Sequence, residues 1–364
     1  MNETFFTERL LDWYDVNARS LPWRKSSTPY RVWISEIMAQ QTQMDRVVDY
    51  FGRWMERFPD IDSLAHANEE DILKMWEGLG YYSRARNLHK AAGVILSEYD
   101  GIFPSTFKGI LALPGVGPYT AGAISSIAFN IPEPAVDANV LRVFARLLDI
   151  GKPVKEASVK AQISKAVCQL LPEDRPGDFN QAIMELGALV CSKRAACDQC
   201  PVQTCCLAHE RGTVAERPVL APSKKTIPIE MATGVLEYEG RLLIQKRRDD
   251  DVWPGLWEFP GGCVEKEETP EQALVREYRE EVELDVKPVE KIAVIRYSYT
   301  RYRVTMHCYL CRPQNGDIPV PVFNEAVEGA FVCPDSLSEY AFPAGHRRLI
   351  EHMRDDSRLA AVFA

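Results

Sequence analysis

The sequence predicts two domains of different class, an all-α first half and an α+β second half. A chain of 364 residues is longer than one hydrophobic core usually supports. From Phe5 to about Leu207, apolar residues recur at three- and four-residue spacing, which is the period of amphipathic helices. After Pro228 the pattern changes to stretches rich in β-branched and aromatic residues, which are typical of strands.

Helix breakers divide the first half into short helices. The apolar spacing is clearest at Leu10-Leu11-Tyr14, Val32-Ile37-Met38 and Ile183-Leu186-Val190, and the breakers are Pro59, Gly78-Leu79-Gly80, Pro104 and Pro114-Gly115. We predict that residues 1–211 form one helical domain. Residues 212–228, with three prolines and Lys224-Lys225, are predicted to be a linker.

The second predicted domain covers residues 229–364 and combines strands with one helix. The strand-like stretches are Met231–Gln245, Lys291–Tyr299 and Val304–Cys311, and the predicted helix is Pro270–Val282. Thr269 and Gln272 have the spacing of a capping box, with Pro270 at the first helical position.

Composition excludes several classes of protein. The hydrophobic share of 46% argues against a disordered or fibrous chain. No run of eighteen apolar residues predicts a membrane span, and Met1–Thr4 lacks the pattern of a signal peptide. We therefore expect a cytoplasmic monomer with no membrane partner. A net charge of −9 argues, if anything, against a nucleic-acid partner, but phosphate contact is local, so charge alone does not decide.

A glycine-rich turn precedes a predicted helix in the first half. Gly115 and Gly117 lie two residues apart, and the helix begins at about Pro118. Because glycine has no Cβ, backbone N–H groups at such a turn can approach a phosphate of DNA closely. The alternative is a tight turn that only joins two helices.

Four of the ten cysteines lie within sixteen residues, at Cys191, Cys197, Cys200 and Cys206, and Cys205 could replace one of them. In a chain without an export signal, such a group predicts a metal or cluster site rather than disulfides. Four thiolates suit a [4Fe–4S] cluster or a tetrahedral zinc ion. Reduced structural cysteines without a metal are the remaining alternative.

Several strings in the first half, spread over residues 20–206, resemble the helix-hairpin-helix DNA glycosylases, and specifically the MutY adenine glycosylases. The strings are Leu21-Pro22-Trp23-Arg24, Trp33-Ile34-Ser35-Glu36-Ile37-Met38, Gln40-Gln41-Thr42, Gly78-Leu79-Gly80-Tyr81-Tyr82-Ser83-Arg84, Leu113–Ala123, Val136–Val140 and Glu185–Cys191. The resemblance implies a helix-hairpin-helix glycosylase fold with a [4Fe–4S] loop. It also implies removal of adenine mispaired with 8-oxoguanine or guanine in double-stranded DNA. The family's first cysteine spacing is six residues, whereas this chain has five.

Cleavage of the glycosidic bond of deoxyadenosine requires protonation of the leaving base and a carboxylate that stabilises the sugar cation. Glu36 lies in an apolar run where burial would raise its pKa, which favours a general acid. The resemblance gives Glu36 the protonation of adenine N7 and Asp137 the stabilisation of the oxocarbenium ion. A buried structural glutamate and a helix N-cap are the respective alternatives.

The remaining site residues are implied by the resemblance. Tyr119 stands where strand-nicking relatives carry a lysine, and because a phenol cannot form an imine, we predict a monofunctional glycosylase. Asn139 is included in the catalytic set. Gln41 and Tyr81 are expected to fill the duplex gap after base flipping, and Arg24 and Gln181 to contact the flipped adenine.

The second half carries the spacing of a Nudix box, Gly262-x5-Glu268-x7-Arg276-Glu277-x2-Glu280-Glu281. Glu277, Glu280 and Glu281 share one helix face and could hold Mg²⁺, or they could form a solvated acidic face. With Trp257–Gly262 upstream, the segment resembles the MutT 8-oxo-dGTP hydrolases. In the MutY family such a Nudix fold usually recognises 8-oxoguanine in DNA.

Two positions depart from these families. Glu283 replaces a glycine near the end of the box, and Tyr297-Ser298-Tyr299 stands where the family's DNA-recognition loop usually reads Phe-Ser-His. Three hypotheses remain: a monofunctional adenine glycosylase, a two-activity chain that also hydrolyses 8-oxo-dGTP, and a non-catalytic DNA-binding protein.

Overall fold

Contacts in the computed structural model, which describes residues 3–222, 225–316 and 320–356, divide the chain into two units. The first unit contains residues 1–67 and 87–223. The second contains residues 224–364 together with residues 68–86. Segment 68–86 therefore lies within the helical part of the sequence, but its contacts assign it to the second unit. The predicted boundaries at 211 and 229 stay predictions.

The first part of the chain is helical, as predicted. Between residues 3 and 222 the structure has no strand beyond one isolated bridge, Pro153 with Val219. The helices are α1 (Glu3–Asn17), α2 (Pro29–Ala39), α3 (Met44–Arg57), α4 (Ile61–Ala65), α5 (Glu69–Trp76), α6 (Ser83–Glu98), α7 (Phe107–Leu111), α8 (Pro118–Phe129), α9 (Ala138–Leu147), α10 (Ala157–Leu170), α11 (Pro176–Leu189) and α12 (Leu207–Glu210). No helix in the described part of the chain is long and apolar enough to cross a membrane.

Helices α1, α9, α10 and α11 form one hydrophobic core in the first unit. Phe6, Phe144 and Phe179 are completely buried there. The apolar groups that predicted helices, such as Leu10 and Ile183, are also buried. Since burial of such side chains is the main favourable term in folding, the spacing that predicted the helices also locates their buried faces.

The beginning of the predicted linker is attached to the first unit. Val154 N–H donates to the Val219 carbonyl at 3.1 Å, and Arg146 Nε donates to the Arg217 carbonyl at 3.0 Å. Arg217 in turn forms an ion pair of 2.8 Å with Asp149. Local composition did not reveal this attachment because its partners lie about seventy residues earlier in the chain.

A sheet of seven strands forms the centre of the second unit in the described residues. Strand β1 pairs with β6 in parallel, and the other pairings are antiparallel. The main order is β3-β2-β1-β6-β5, with β4 beside β1 and β7 beside β2. The elements are β1 (Ile227–Tyr238), β2 (Arg241–Arg247), β3 (Trp257–Glu258), β4 (Gly261–Cys263), α13 (Pro270–Val282), β5 (Val286–Tyr299), β6 (Tyr302–Pro313), β7 (Ala326–Val332) and α14 (Ala344–Asp355).

Helices cover both faces of this sheet. Helix α13 packs on one face through Leu274 and Tyr278, and α14 packs on the other through Leu349 and Ile350. The mixed architecture agrees with the predicted α+β class, and α13 has the predicted bounds and capping box. The stretch 231–245 is two strands rather than one, because Glu239 and Gly240 form a turn with positive φ angles.

The end of α13 explains why the related families carry a glycine there. Glu283 caps the helix in the left-handed conformation, with φ of 54°. A residue with a Cβ is strained in this conformation, whereas glycine is not. The side chain of Glu283 accepts an exposed hydrogen bond of 3.3 Å from Asn324.

We predict that Glu283→Gly stabilises the second unit by about 1 kcal/mol, because it removes the strain of a Cβ at positive φ. The measurement is the midpoint of chemical denaturation. Glu283→Ala is the matched control, since it loses the same hydrogen bond but keeps the Cβ. Equal midpoints for the two variants would contradict the explanation.

Candidate active site

A cavity of about 500 Å³ in the first unit collects the predicted catalytic and base-contacting residues. They come from the region after α1, from α2 and its C-terminal end, from α8, from α9 and from α11. The residues predicted from sequence that line it are Arg24, Glu36, Gln41, Tyr119, Asp137, Asn139 and Gln181. Residues up to 157 positions apart in the chain therefore meet around one space large enough for a small ligand.

Glu36 is held in this cavity by a tyrosine. It lies on α2 among the buried side chains of Val32, Ile37 and their neighbours. The hydroxyl of Tyr119 donates a hydrogen bond of 2.5 Å to Glu36 Oε2. Burial raises the pKa of Glu36 to about 7, although the hydrogen bond from Tyr119 acts in the opposite direction. Glu36 is therefore able to hold and release a proton near neutral pH.

Asp137 occupies the N-cap of α9 and faces the same cavity. Its Oδ1 accepts from Val140 N–H at 2.7 Å, and its Oδ2 accepts from Asn139 Nδ2 at 2.7 Å. Burial raises the pKa of Asp137 above its ordinary value, while these hydrogen bonds and Arg142 oppose the rise. The N-cap role and the position in the cavity thus coexist in one residue.

Sequence reasoning missed the anion that holds Arg24. Glu185 on α11 is 1% exposed and pairs with both Arg19 and Arg24, at 2.9 Å and 2.8 Å. Burial favours protonation of Glu185, but the two arginines outweigh it and lower its pKa. Arg24 Nε also donates to Gln181 Oε1 at 2.9 Å. One signal was present in the sequence, because Glu185 lies among the apolar residues of a helix. A buried carboxylate requires cationic partners, so this position indicated that such partners exist.

The glycine-rich turn joins α7 to α8, and its two glycines have different roles. Gly115 has φ of 76°, and a Cβ there would lie 2.5 Å from Asn87 Cβ. Gly117 is the N-cap of α8, and a Cβ on it would have no neighbour within 4 Å. The packing of the protein therefore requires glycine at 115 but not at 117.

Gln41 and Tyr81 share an unusual backbone conformation. Gln41 follows the end of α2 with φ of 57°, and Tyr81 follows Gly80 with φ of 47°. Both side chains are exposed, Tyr81 by 38%. Non-glycine residues at positive φ are uncommon and are often found at functional sites.

The four predicted cysteine ligands line one small cavity in the first unit, together with Arg146. Arg146 Nη1 donates to Cys191 Sγ at 3.3 Å. Cys205 is not among the described residues that line this cavity, although it packs against the same core as Cys191, Cys200 and Cys206. Within the part of the chain that the structure describes, no three metal-binding side chains are grouped closely enough to hold an ion.

The negative charge on the acidic face of helix α13 is offset by an arginine, Arg276. Arg276 forms ion pairs of 2.9 Å with Glu277 and Glu280, and of 3.0 Å with Glu268. Glu281, which is 7% exposed, accepts from Gly261 N–H at 2.9 Å and from Gln245 Nε2 at 3.0 Å. Burial raises the pKa of Glu281 to about 8. A basic partner from the same chain therefore offsets the like charges that could otherwise require a cation.

Tyr297, Ser298 and Tyr299 end strand β5 and are not in a loop. The turn of the β5–β6 hairpin consists of Thr300 and Arg301, since Tyr299 pairs with Tyr302. The ring of Tyr297 packs against Gly345 on α14, and Tyr299 contacts Trp253 edge to face at 4.7 Å. This agrees with the predicted strand Lys291–Tyr299, whereas the likeness of these three residues to a recognition loop does not extend to their conformation.

Comparisons with known proteins agree with this arrangement. Residues 34–168 match the HhH-GPD superfamily of base excision DNA repair proteins, and residues 232–352 match the NUDIX domain. Among solved structures, a thermostable thymine-DNA glycosylase has a TM-score of 0.53 and 27% sequence identity, covering 57% of this chain and 97% of its own. The fold and the cavity define a DNA glycosylase with an appended Nudix domain.

Relatives that match most of the chain identify the family within this class of DNA glycosylases. The adenine DNA glycosylase of Rattus norvegicus is 35% identical, covering 84% of this chain and 70% of its own length. The enzyme of the same name from Buchnera aphidicola subsp. Acyrthosiphon pisum is 33% identical, covering 86% and 88%. That of Homo sapiens is 38% identical, covering 75% and 60%. The chain belongs to the adenine DNA glycosylases, the MutY family of base excision repair.

Proposed function

We propose that this adenine DNA glycosylase removes adenine paired with 8-oxoguanine or guanine and leaves the DNA strand intact. Glu36 acts as the general acid, and Asp137 stabilises the positive charge that develops on the sugar. The observation that carries the proposal is the grouping of Tyr119, Glu36 and Asp137 around one cavity.

The acid step begins with Glu36 protonated. Its proton passes to N7 of the flipped adenine, the bond between C1′ and N9 breaks, and the bonding electron pair leaves with the base. Water then adds to C1′ and releases a proton, which restores the acid and leaves an abasic site. The pKa of Glu36 near 7 supports this role, because a general acid works best with a pKa close to the working pH.

Asp137 must be ionised when the sugar cation forms. The hydrogen bonds from Val140 and Asn139 support its charged form. Two carboxylates in one cavity are thus kept for different tasks, one protonated and one charged. Arg142 Nη2 donates to Asn139 Oδ1 at 2.8 Å, which turns the Asn139 amide group toward Asp137.

Tyr119 supports the monofunctional assignment. A strand-nicking glycosylase needs an amine to form an imine with C1′ of the sugar. No lysine lines the cavity in the described residues, and Tyr119 bonds to Glu36 instead. Arg24 and Gln181 hydrogen-bond to each other at the cavity wall, where they are suited to contact the polar edge of the adenine.

We predict that single-turnover excision of adenine from an A:8-oxoguanine duplex falls as the pH rises through about 7, because Glu36 loses its proton. Tyr119→Phe should move this fall in rate to higher pH, since it removes a hydrogen bond that favours the charged form of Glu36. Glu36→Gln should lower the rate by a factor on the order of 100 to 10,000.

The same assay tests the proposed function as a whole. Adenine paired with thymine should be excised far more slowly than adenine paired with 8-oxoguanine, and borohydride should trap no covalent adduct. An unchanged rate in Glu36→Gln would contradict the acid assignment. A trapped adduct would contradict the monofunctional assignment.

The turn between α7 and α8 is proposed to bind a DNA phosphate through its backbone N–H groups. Gly117 carries the argument, because the space beside it is open and the protein itself has no need of glycine there. A phosphate approaching the N-terminus of α8 would meet unpaired donors and the positive end of the helix dipole.

We predict that Gly117→Ala weakens DNA binding roughly fivefold, equivalent to about 1 kcal/mol, with no change in the denaturation midpoint. Gly115→Ala is the contrasting variant and should destabilise the fold by about 1 to 3 kcal/mol, because it places a Cβ at positive φ against Asn87. Fluorescence anisotropy with a labelled duplex gives the affinities. Unaltered affinity in Gly117→Ala would rule out close phosphate contact at this turn.

A [4Fe–4S] cluster held by Cys191, Cys197, Cys200 and Cys206 is proposed for the first unit. The type of donor fits, because four thiols line a single cavity and a guanidinium donates to one of them, and binding of the cluster would draw the thiols closer together. When bound, the cluster supplies cross-links between the four thiolates and so stabilises the loop. Lys193 and Arg194 lie in this loop, where they are suited to meet DNA phosphates.

We predict about four iron atoms per chain purified without oxygen, together with the broad visible absorption of an iron–sulfur protein. Cys200→Ser should lose most of the iron, whereas Cys205→Ser should retain it, because Cys205 does not line the cavity. One zinc ion per chain in place of iron would overturn the cluster assignment.

The Nudix-like unit is proposed to recognise 8-oxoguanine, with the β5–β6 hairpin and Tyr299 as its DNA-facing part. Hydrolysis of 8-oxo-dGTP is the weaker alternative. Its Mg²⁺ would require Glu277 and Glu280 to exchange the ion pairs that they make with Arg276. Pyrophosphate release by the intact chain, lost in Glu280→Gln, would establish that second activity.

A further inference from the structure

Segment 68–86 carries Tyr81 and is bonded to the C-terminal part of the chain, although the catalytic helices surround it in the sequence. Helix α5 ends at Trp76, and the segment then turns through Gly78 and Gly80, both at positive φ, before Tyr81. A turn of this kind has several backbone conformations available. Its geometry therefore depends on what holds it.

Part of the support is local. Trp76 Nε1 donates to the Gly80 carbonyl at 3.0 Å. Arg84 donates to the carbonyls of Leu79 and Gly80 at 2.9 and 3.0 Å, and its guanidinium lies 5.1 Å from the ring of Trp76. These contacts close the turn on itself. They do not attach it to the rest of the second unit.

Glu77 makes that attachment. Its Oε1 accepts from the backbone N–H of Phe342 at 2.9 Å and from Arg347 Nε at 2.8 Å. Its Oε2 accepts from Lys74 Nζ at 2.7 Å. The Glu77 side chain is 14% exposed and that of Arg347 17%, so the pair is largely shielded from water. A carboxylate that is shielded from water and accepts several hydrogen bonds fixes the positions of its partners far better than a surface ion pair does.

Three further contacts converge on the same residues. Arg347 Nη2 donates to the Tyr340 carbonyl at 2.7 Å, and Lys74 Nζ donates to that carbonyl at 3.0 Å. The Tyr82 hydroxyl donates to the Phe342 carbonyl at 3.2 Å. Tyr82 follows Tyr81 directly and is 5% exposed. Tyr81 thus lies between two anchored positions, Glu77 and Tyr82, while its own side chain remains exposed.

We propose that Arg347, acting through Glu77, is a positioning residue that holds the Gly78–Tyr81 turn in the conformation that enters DNA. The C-terminal part of the chain would then contribute to lesion recognition without touching the base, by ordering Tyr81 before DNA binds. An ordered side chain loses less conformational entropy on binding, which appears as tighter binding. This inference rests on the proposed contact of Tyr81 with DNA.

The test is a double-substitution cycle of Arg347→Met with Tyr81→Ala in the full chain. Affinity is measured for a duplex carrying a non-cleavable 2′-fluoro-deoxyadenosine opposite 8-oxoguanine. Tyr81→Ala should weaken binding roughly five- to a hundredfold, the loss of one base–aromatic contact. Arg347→Met should weaken it roughly tenfold alone but produce no further loss in the Tyr81→Ala background.

Two control variants separate positioning from general damage. Arg348→Met alters the neighbouring arginine, which is exposed and donates to the Arg296 carbonyl at 3.2 Å, and should leave affinity unchanged. Arg347→Lys keeps a cation beside Glu77 and should restore part of the loss. Equal losses from Arg347→Met in both backgrounds would overturn the inference, because the effect would not pass through Tyr81.

A measurement without DNA distinguishes failure of this inference from failure of the proposed function. With 3-fluorotyrosine at position 81, the ¹⁹F resonance should shift or broaden in Arg347→Met and not in Arg348→Met. An unmoved resonance, with Tyr81→Ala still weakening binding, would overturn the positioning role and leave the DNA contact intact. If the resonance shifts but Tyr81→Ala has no effect on binding, the proposed contact of Tyr81 with DNA is refuted. The inferred role of Arg347 and Glu77 in DNA binding is then refuted as well.

Discussion

The proposed chemistry depends on two partly buried carboxyl groups, Glu36 and Asp137, that share one cavity but have different hydrogen-bond donors. Burial drives both Glu36 and Asp137 toward the neutral form. Asp137 is given hydrogen bonds from a backbone N–H and an amide, which support its charge. Glu36 receives a single hydroxyl donor, from Tyr119. In the proposed mechanism, this difference in hydrogen-bond donors favours Glu36 as the acid and Asp137 as the anion.

The surrounding helices serve this arrangement. Asp137 keeps its position because it also caps α9, so moving it would cost the helix its first hydrogen bond. The cavity wall is held by Glu185, a third carboxylate that is ionised because two arginines surround it. Three carboxyl groups around one cavity thus have different hydrogen-bond and ion-pair partners, and the proposed mechanism uses this difference.

Sequence reasoning identified most of the cavity and the class of both units. Helical spacing located the buried faces, and the family resemblance implied Arg24, Glu36, Tyr119, Asp137 and Gln181, which the structure brings together around one cavity. It missed the pairing of Glu185 with Arg19, because an acid within an apolar helix indicates that a cationic partner exists but does not identify one that lies 166 positions away. It described Tyr297–Tyr299 both as the end of a strand and as the counterpart of a recognition loop, and the structure has the strand. The assignment of residues 68–86 to the second unit could not be predicted either, because their helical pattern is the same as that of the residues on both sides in the sequence.

That allocation has a consequence for how the chain is made. Glu77 leaves the ribosome long before its partners, which follow 265 and 270 residues later. Until they arrive, the apolar side chain of Leu73, which is buried in the finished protein and lies beside Gly255, is exposed without its C-terminal neighbours. Nascent chains that expose such surfaces are prone to aggregate and are natural clients of chaperones. Residues 68–86 can therefore reach their final state only after the last helix, α14, has been synthesised.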